Sequence, residues 1–295
     1  MKNNMKRAIF CAALGNIIWG FSFLFTKVGL TVVSDPYIML AHRFIISSVI
    51  MLFPMLMGKT KLSFKGKKWG SVLLLLATQL CYYLFEGYSI LYTNSTIAGL
   101  VLAVVPVVTI GTGALFLKEY PTKRQTLFCI MPIVGVILIT ISSKELGVIS
   151  PIGGLFLLLT LLSSAIYKTA NRKASENFTP YERTFMVLSI SAVVFTVIGL
   201  RAVKWDIAAF TAPLVHIKYL VAVLSLSLLC SIVANLLVNY AMDHMLTFKV
   251  SSFGSLSTLC AALAGIIFLK EPFNTSLVLG GALILVGVHQ ITKAK

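Results

Sequence analysis

Three ionisable residues stand deep inside apolar stretches of the first half of the chain: Lys27, Arg43 and Glu86. In hydrocarbon such groups are costly, and they persist where they pair, bind a ligand or relay protons. Counting along helices at 1.5 Å per residue places all three in one layer, roughly 6–11 Å below one bilayer boundary. Glu86 is the only acid at that depth, and an isolated carboxylate there stays protonated unless a cation stands beside it. Lys27 or Arg43 supplies that cation. Three uses of the layer follow: an ion pair that fixes helix packing, a surplus positive charge that holds a substrate carboxylate, or a proton-coupling group at Glu86 that empties and fills as a site alternates.

Around this layer the polar and aromatic residues fall in stripes. Gln79, Tyr82, Tyr83 and Glu86 follow the i, i+3, i+4, i+7 spacing of one helix face, and Asn16, Trp19, Gly20 and Phe23 form a similar face in the first apolar segment. Counterparts recur later as Ser231, Asn235 and Asn239, and as Thr160, Ser163, Ser164 and Tyr167. Each residue alone serves equally well as interhelical hydrogen-bonding or packing. As a set, Asn16, Trp19, Phe23, Gln79, Tyr82, Tyr83, Glu86, Tyr167, Asn235 and Asn239 are the candidate substrate-binding residues. Lys27, Arg43 and Glu86 are the candidates for gating or coupling. Pro106, followed by Gly111 and Gly113, joins them as a hinge, with a static kink as the alternative.

The elements that must position these residues are membrane helices. With 58% hydrophobic and 12% charged residues the chain has about half the charge a soluble domain carries. Breaking it at charged, Pro, Gly and Asn/Ser clusters gives ten apolar spans: 8–31, 36–57, 69–92, 95–117, 124–142, 150–171, 181–200, 217–241, 246–269 and 274–292. Each is close to the roughly 20 residues that cross a bilayer as a helix. The run from Met1 to about Leu30 has a basic start but no small-residue cleavage pattern, so it is read as a retained first helix. The net charge of +16 is a topology signal rather than a nucleic-acid footprint. With the N-terminus inside, sixteen Lys and Arg fall on the cytoplasmic side, Arg172, Lys173 and Arg183 among them, against five outside. Both termini are therefore expected in the cytoplasm of a multi-pass cell (inner or plasma) membrane protein. Asp243, His244 and Lys249 read as a solvated turn.

The chain is also a duplication. Gly113-Ala-Leu-Phe-Leu-Lys-Glu119 leading to Ile139-Thr140 recurs 152 residues later as Gly265-Ile-Ile-Phe-Leu-Lys-Glu271 leading to Ile291-Thr292, with 11 of 28 positions identical. Five helices per copy is an odd number, so the second copy enters the membrane from the opposite face. The expected fold is an all-α integral membrane protein with ten transmembrane helices in two inverted five-helix repeats, residues 1–145 and 146–295. Where the copies differ is informative: Glu86 aligns with Val238, and a local offset of 144 aligns Lys27 with Asn171 and Arg43 with Val187. Small residues at Gly113, Gly135, Gly265, Gly280, Gly281 and Gly287 offer close helix packing, either within the chain or in a homodimer.

In the order and spacing of Trp19-Gly20 with Lys27, Pro36 and Arg43, Pro106, and the two Phe-Leu-Lys-Glu motifs closing helices four and nine, the whole chain resembles the drug/metabolite transporter superfamily in its ten-helix, EamA-type branch. The resemblance implies an inner-membrane carrier of small metabolites, often an exporter of amino acids or related compounds. One departure concerns helix six, where an aromatic-rich opening like Trp19-Gly20 is replaced by Ser163-Ser164; Tyr167 one turn later supplies an aromatic there.

Other classes find no support. The five cysteines lie in apolar stretches with no metal or disulfide spacing, no metal-binding or phosphate-binding motif occurs, and no nucleophile stands beside a base, so an enzyme is not expected, and neither is a cofactor. The expected partners are the lipid bilayer and a small polar solute, not nucleic acid. The function read from these residues is a secondary transporter of small polar metabolites working by alternating access, first of all an exporter of amino acids. The alternatives are an organic-cation or drug exporter and, in a different class, a membrane protein that transports nothing.

Overall fold

The computed structural model describes residues 2–58, 60, 62–63, 66–92, 101–141, 150–269 and 275–294. Ten helical spans run through it: α1 Lys2–Gly29, α2 Pro36–Leu56, α3 Gly70–Tyr92, α4 Val105–Leu117, α5 Lys123–Ile141, α6 Pro151–Ala174, α7 Pro180–Ala202, α8 Ile217–His244, α9 in two pieces, Thr247–Ser252 and Gly254–Leu269, and α10 Thr275–Lys293. All but α4 are long and apolar enough to cross a membrane; the described part of α4 is 13 residues. The first ten residues of the span expected at 95–117 are largely outside the described residues, as are Lys270 and Glu271 of the second Phe-Leu-Lys-Glu motif.

Local chemistry sets where the helices start. Asp35 accepts from the Tyr37 N–H at 2.7 Å with Pro36 in the first turn of α2. Thr179 and Glu182 form a capping box with Pro180 in the first turn of α7. These two starts are 144 residues apart, the same local offset that aligns the copies. Ser150 caps α6 in a similar way, accepting from the Gly153 N–H at 3.0 Å. Each cap satisfies an amide that the first helical turn leaves without a partner, and Pro has no such amide to satisfy.

Packing follows the duplication. α1 lies against α8 and α9, and its counterpart α6 lies against α3 and α4; α2 meets α7, and α5 meets α10. Exchanging the halves maps every one of these contacts onto another or onto itself, as a pseudo-two-fold axis between inverted copies requires. Small residues make the approaches close. At Gly20 of α1 a Cβ would stand 2.5 Å from the Cys260 Cβ and 2.7 Å from the Ser257 carbonyl of α9. Where lipid tails are as apolar as the protein interior, such contact is what holds helices together. Two large apolar clusters and three smaller ones result among the described residues. One of the large pair joins α1, α5, α8, α9 and α10 through residues such as Ala12, Met242, Phe253 and Ile284, and the other joins α2, α7 and α8 through Phe44, Phe195, Tyr219 and Cys230. Trp19 packs against both.

The break in the helix, expected at Pro106 as a hinge or a static kink, lies slightly earlier. The backbone turns at Ala103 and Val104, and Pro106 sits in the first turn of the helix that follows. Proline there cannot continue a helix that precedes it but fits the start of a new one. α9 breaks at the corresponding level, at Phe253, without any proline. Each repeat thus carries one discontinuous helix.

Candidate functional site

α2, α3, α6 and α8 bring a set of polar side chains together beside the α2–α7–α8 cluster. Tyr82 donates its hydroxyl to Glu86 Oε1 at 2.6 Å, one turn along α3. Tyr83 stands edge-on to Tyr82 with ring centroids 5.3 Å apart, and Gln79 hydrogen-bonds it from the preceding turn. From α2, Arg43 donates Nε to Ser231 Oγ of α8 at 2.6 Å, within electrostatic reach of Glu86 and both tyrosines. Tyr167 of α6 approaches Tyr83 from the other repeat. Arg43 and Glu86 therefore share a layer without an ion pair between them, each held by a hydroxyl. Lys27 is exposed on α1.

A π-helical segment in α8, Leu226–Val233, prepares the Arg43 contact. Its wider turn is seen where the Ala234 N–H reaches back five residues to the Leu229 carbonyl. The Cys230 carbonyl then accepts from the Trp19 indole N–H at 2.9 Å and from the Asn235 amide at 3.4 Å. Ser227 donates to the Arg43 carbonyl at 3.0 Å. Such segments recur at functional sites because they re-aim side chains by a fraction of a turn.

The second polar cluster lies on the face where α1 begins and α10 ends, the termini face. Arg183 of α7 is fully buried; it donates to the Asn171 side chain, to the Asn171 and Asn239 carbonyls at 3.0 and 3.2 Å, and to the Asp243 carboxylate. Arg172 of α6 donates to the carbonyls of Met242 and Asp243 at 2.7 and 2.9 Å, so a cation closes the C-terminal end of α8. Its Nε also reaches Glu119 at 3.4 Å, and the other oxygen of Glu119 accepts from the Thr247 N–H at 2.7 Å. Glu119 is aimed inward because Lys118 takes a left-handed conformation, φ 57°, at the end of α4. Lys67 and the Ser63 N–H converge on Glu182 at 2.7 and 2.9 Å. Glu119 and Lys67 belong to the first repeat, their partners to the second, so this network ties the repeats together at one face.

These contacts revise several sequence expectations. Arg172 and Arg183 are structural partners as well as topology charges, and Asp243 is held by Arg183 rather than lying in a solvated turn. Asn239 does not join the central layer: it is buried, accepting from Asn171 at 2.6 Å and donating to Thr184 at 2.8 Å. Asn16 is buried on α1, donating to its own Ala12 carbonyl. Phe23 is 54% exposed. Sequence reasoning assigned nothing to Asn171, Glu119 or Ser231 beyond alignment with the other copy; the recurrence of Glu119 in the repeat was the available signal. Among the described residues no three His, Cys, Asp or Glu stand close enough to hold a metal ion.

With ten helices in two exchangeable halves around a polar layer, comparison with known proteins becomes decisive. The profile of the EamA-like transporter family matches residues 6–141 and again 151–292, once per half. The chain belongs to the EamA-like transporter family. Among curated relatives it is similar to "Uncharacterized transporter YcxC" of Bacillus subtilis, 32% identical over 292 residues, covering 98% of this chain and 93% of that one. An "Uncharacterized transporter" of Archaeoglobus fulgidus is 22% identical over 290 residues, covering 96% and 98%. The EamA-like fold is shared with a solved structure titled "Crystal structure of protein", at a TM-score of 0.80 and 15% identity over 96% of this chain and 95% of that one.

Proposed function

We propose that this EamA-like transporter is a secondary carrier that exports small polar solutes, amino acids or close relatives of them, by alternating access between its repeats, with both termini in the cytoplasm. The observation that carries the reading is the central layer itself. Arg43, Glu86, Tyr82 and Tyr83 come from one repeat and Ser231 and Tyr167 from the other, and this pairing of charges, hydroxyls and aromatic rings suits a zwitterion with an apolar side chain. The network at Glu119, Arg172, Arg183 and Asp243 would be the contact that opens and closes on the termini side.

The Tyr82–Tyr83 pair beside Glu86 favours a second reading, an organic-cation exporter that combines charge with ring faces. A thermal-unfolding screen of the purified chain separates the two. A ligand that binds only the folded protein at 100 times its Kd adds about 2.7 kcal/mol. Amino acids are expected to raise the unfolding temperature; stabilisation by organic amines alone would replace the first reading with the second.

Glu86 is the coupling group in this scheme. In proteoliposomes the Glu86→Gln variant is expected to retain solute exchange while losing its response to an imposed pH gradient. A variant that responds to the gradient as the wild type does would remove Glu86 from coupling.

A further inference from the structure

α6 carries one more cation than the central layer and the termini-face network use. Lys168 lies six residues before the end of α6 at Ala174, about 9 Å along the helix axis from that end. The spacing Ser164, Lys168, Arg172 sets it one turn inward of Arg172, on the same helix face. It is partly buried, and its ammonium makes no hydrogen bond or ion pair with any described residue. The titratable group within electrostatic reach of it is Cys129 of α5, which is fully buried and whose Sγ lies 3.1 Å from Ser252 Oγ of α9. Lys168 thus shares the α6 face of Arg172, which meets the end of α4 and, through Glu119, the start of α9.

A second observation comes from α9. The hydroxyls of Thr247 and Ser251, on the piece of α9 that packs against α4, α5 and α6, and of Ser255, just past the break at Phe253, are buried without a hydrogen-bond partner among the described residues. Buried hydroxyls are almost always partnered, and three such groups call for a polar guest. Arg43, the cation of the central layer, already commits its Nε to Ser231. Of the two, only Lys168 has all three N–H donors uncommitted within the protein.

We infer that Lys168 is the anchor for the carboxylate of the carried solute, with the unpartnered Ser251 hydroxyl of α9 completing the site one turn inward of the Glu119–Arg172 contact. The inference rests on the carrier reading above and adds which group of the solute is recognised and by which residue. It also places a bound anion beside the contact that must open on the termini side.

The test uses the full-length purified chain with the twenty amino acids and their methyl esters, read by thermal unfolding. The acids are expected to stabilise the wild type and the corresponding esters not to. Lys168→Gln is expected to weaken binding of a stabilising acid at least tenfold, and Lys168→Arg to retain most of it. A stabilising acid that binds Lys168→Gln as tightly as wild type overturns the anchor while leaving the carrier reading intact, and so does equal stabilisation by acid and ester. Stabilisation by no amino acid or ester overturns the amino-acid reading and the anchor with it. A wild-type measurement removes dependence on folding of the variant: acetylation of Lys168 by the N-hydroxysuccinimide ester of acetic acid, followed by mass spectrometry, is expected to fall in the presence of the stabilising acid. Undiminished acetylation counts against the anchor.

Discussion

Replacing Asp243 with Ala is expected to destabilise the protein by about 3–5 kcal/mol, because it strands a buried guanidinium. Arg183 is 0% exposed, and its remaining partners would be the neutral oxygens of Asn171 and Asn239. Neutral acceptors do not offset the loss of hydration of a cation in low dielectric. Removing both charges is expected to be far milder. The double variant Arg183→Met, Asp243→Leu is expected to recover most of the loss, since well-packed apolar pairs often replace buried ion pairs without penalty. Unfolding in mixed detergent micelles of the wild type, Arg183→Met, Asp243→Leu and the double variant gives the coupling energy. An Asp243→Ala variant within about 1 kcal/mol of wild type would mean that Arg183 is solvated in the folded state.

The second large effect is expected where α5 crosses α10. A Cβ at Gly135 would stand 2.5 Å from the Gly280 carbonyl oxygen and 2.8 Å from Ile284 Cγ1. The obstacle is backbone, which cannot rotate aside. Gly135→Val is therefore expected to cost about 3 kcal/mol, at the upper end of what overpacking usually takes. Gly111→Val is the matched control, because a Cβ at Gly111 meets nothing within 4 Å. Equal melting temperatures for the two variants would show that the α5–α10 crossing is looser than the structure has it. The glycines that the sequence marked for close packing, Gly135, Gly280 and Gly287, thus find their contacts inside the chain.

Much of this was legible in the sequence for one physical reason. In a bilayer, apolar length and charge placement are both constrained, so the ten spans and the duplication show directly. Arg43, Glu86, Tyr82 and Tyr83 stood out because polar groups in apolar helices are rare. The termini-face network did not stand out, because Arg172, Arg183 and Asp243 lie near helix ends, where a charge is equally at home in water. Only the adjacency of α6, α7 and α8 shows that Arg183 is buried there. Lys168 was hidden by a boundary: a span ending at 171 puts it at the membrane edge, whereas α6 runs on to Ala174. The π-helical segment of α8 and the break at Phe253 in α9 depend on backbone register, and no proline marks either one. Asn239 shows the opposite error, a polar residue on a plausible stripe that packing assigns to Asn171 and Thr184.

The carrier reading is tested most directly by flux. Purified protein in proteoliposomes, shown folded by a cooperative thermal transition, is loaded with a labelled amino acid that stabilises it, and efflux is followed with wild type and Arg43→Ala. The account predicts saturable, protein-dependent efflux from wild type and at least a tenfold loss in Arg43→Ala, a shortfall of about 1.4 kcal/mol or more. Folded wild-type protein that moves neither that amino acid nor any organic cation or organic acid across the membrane would contradict it.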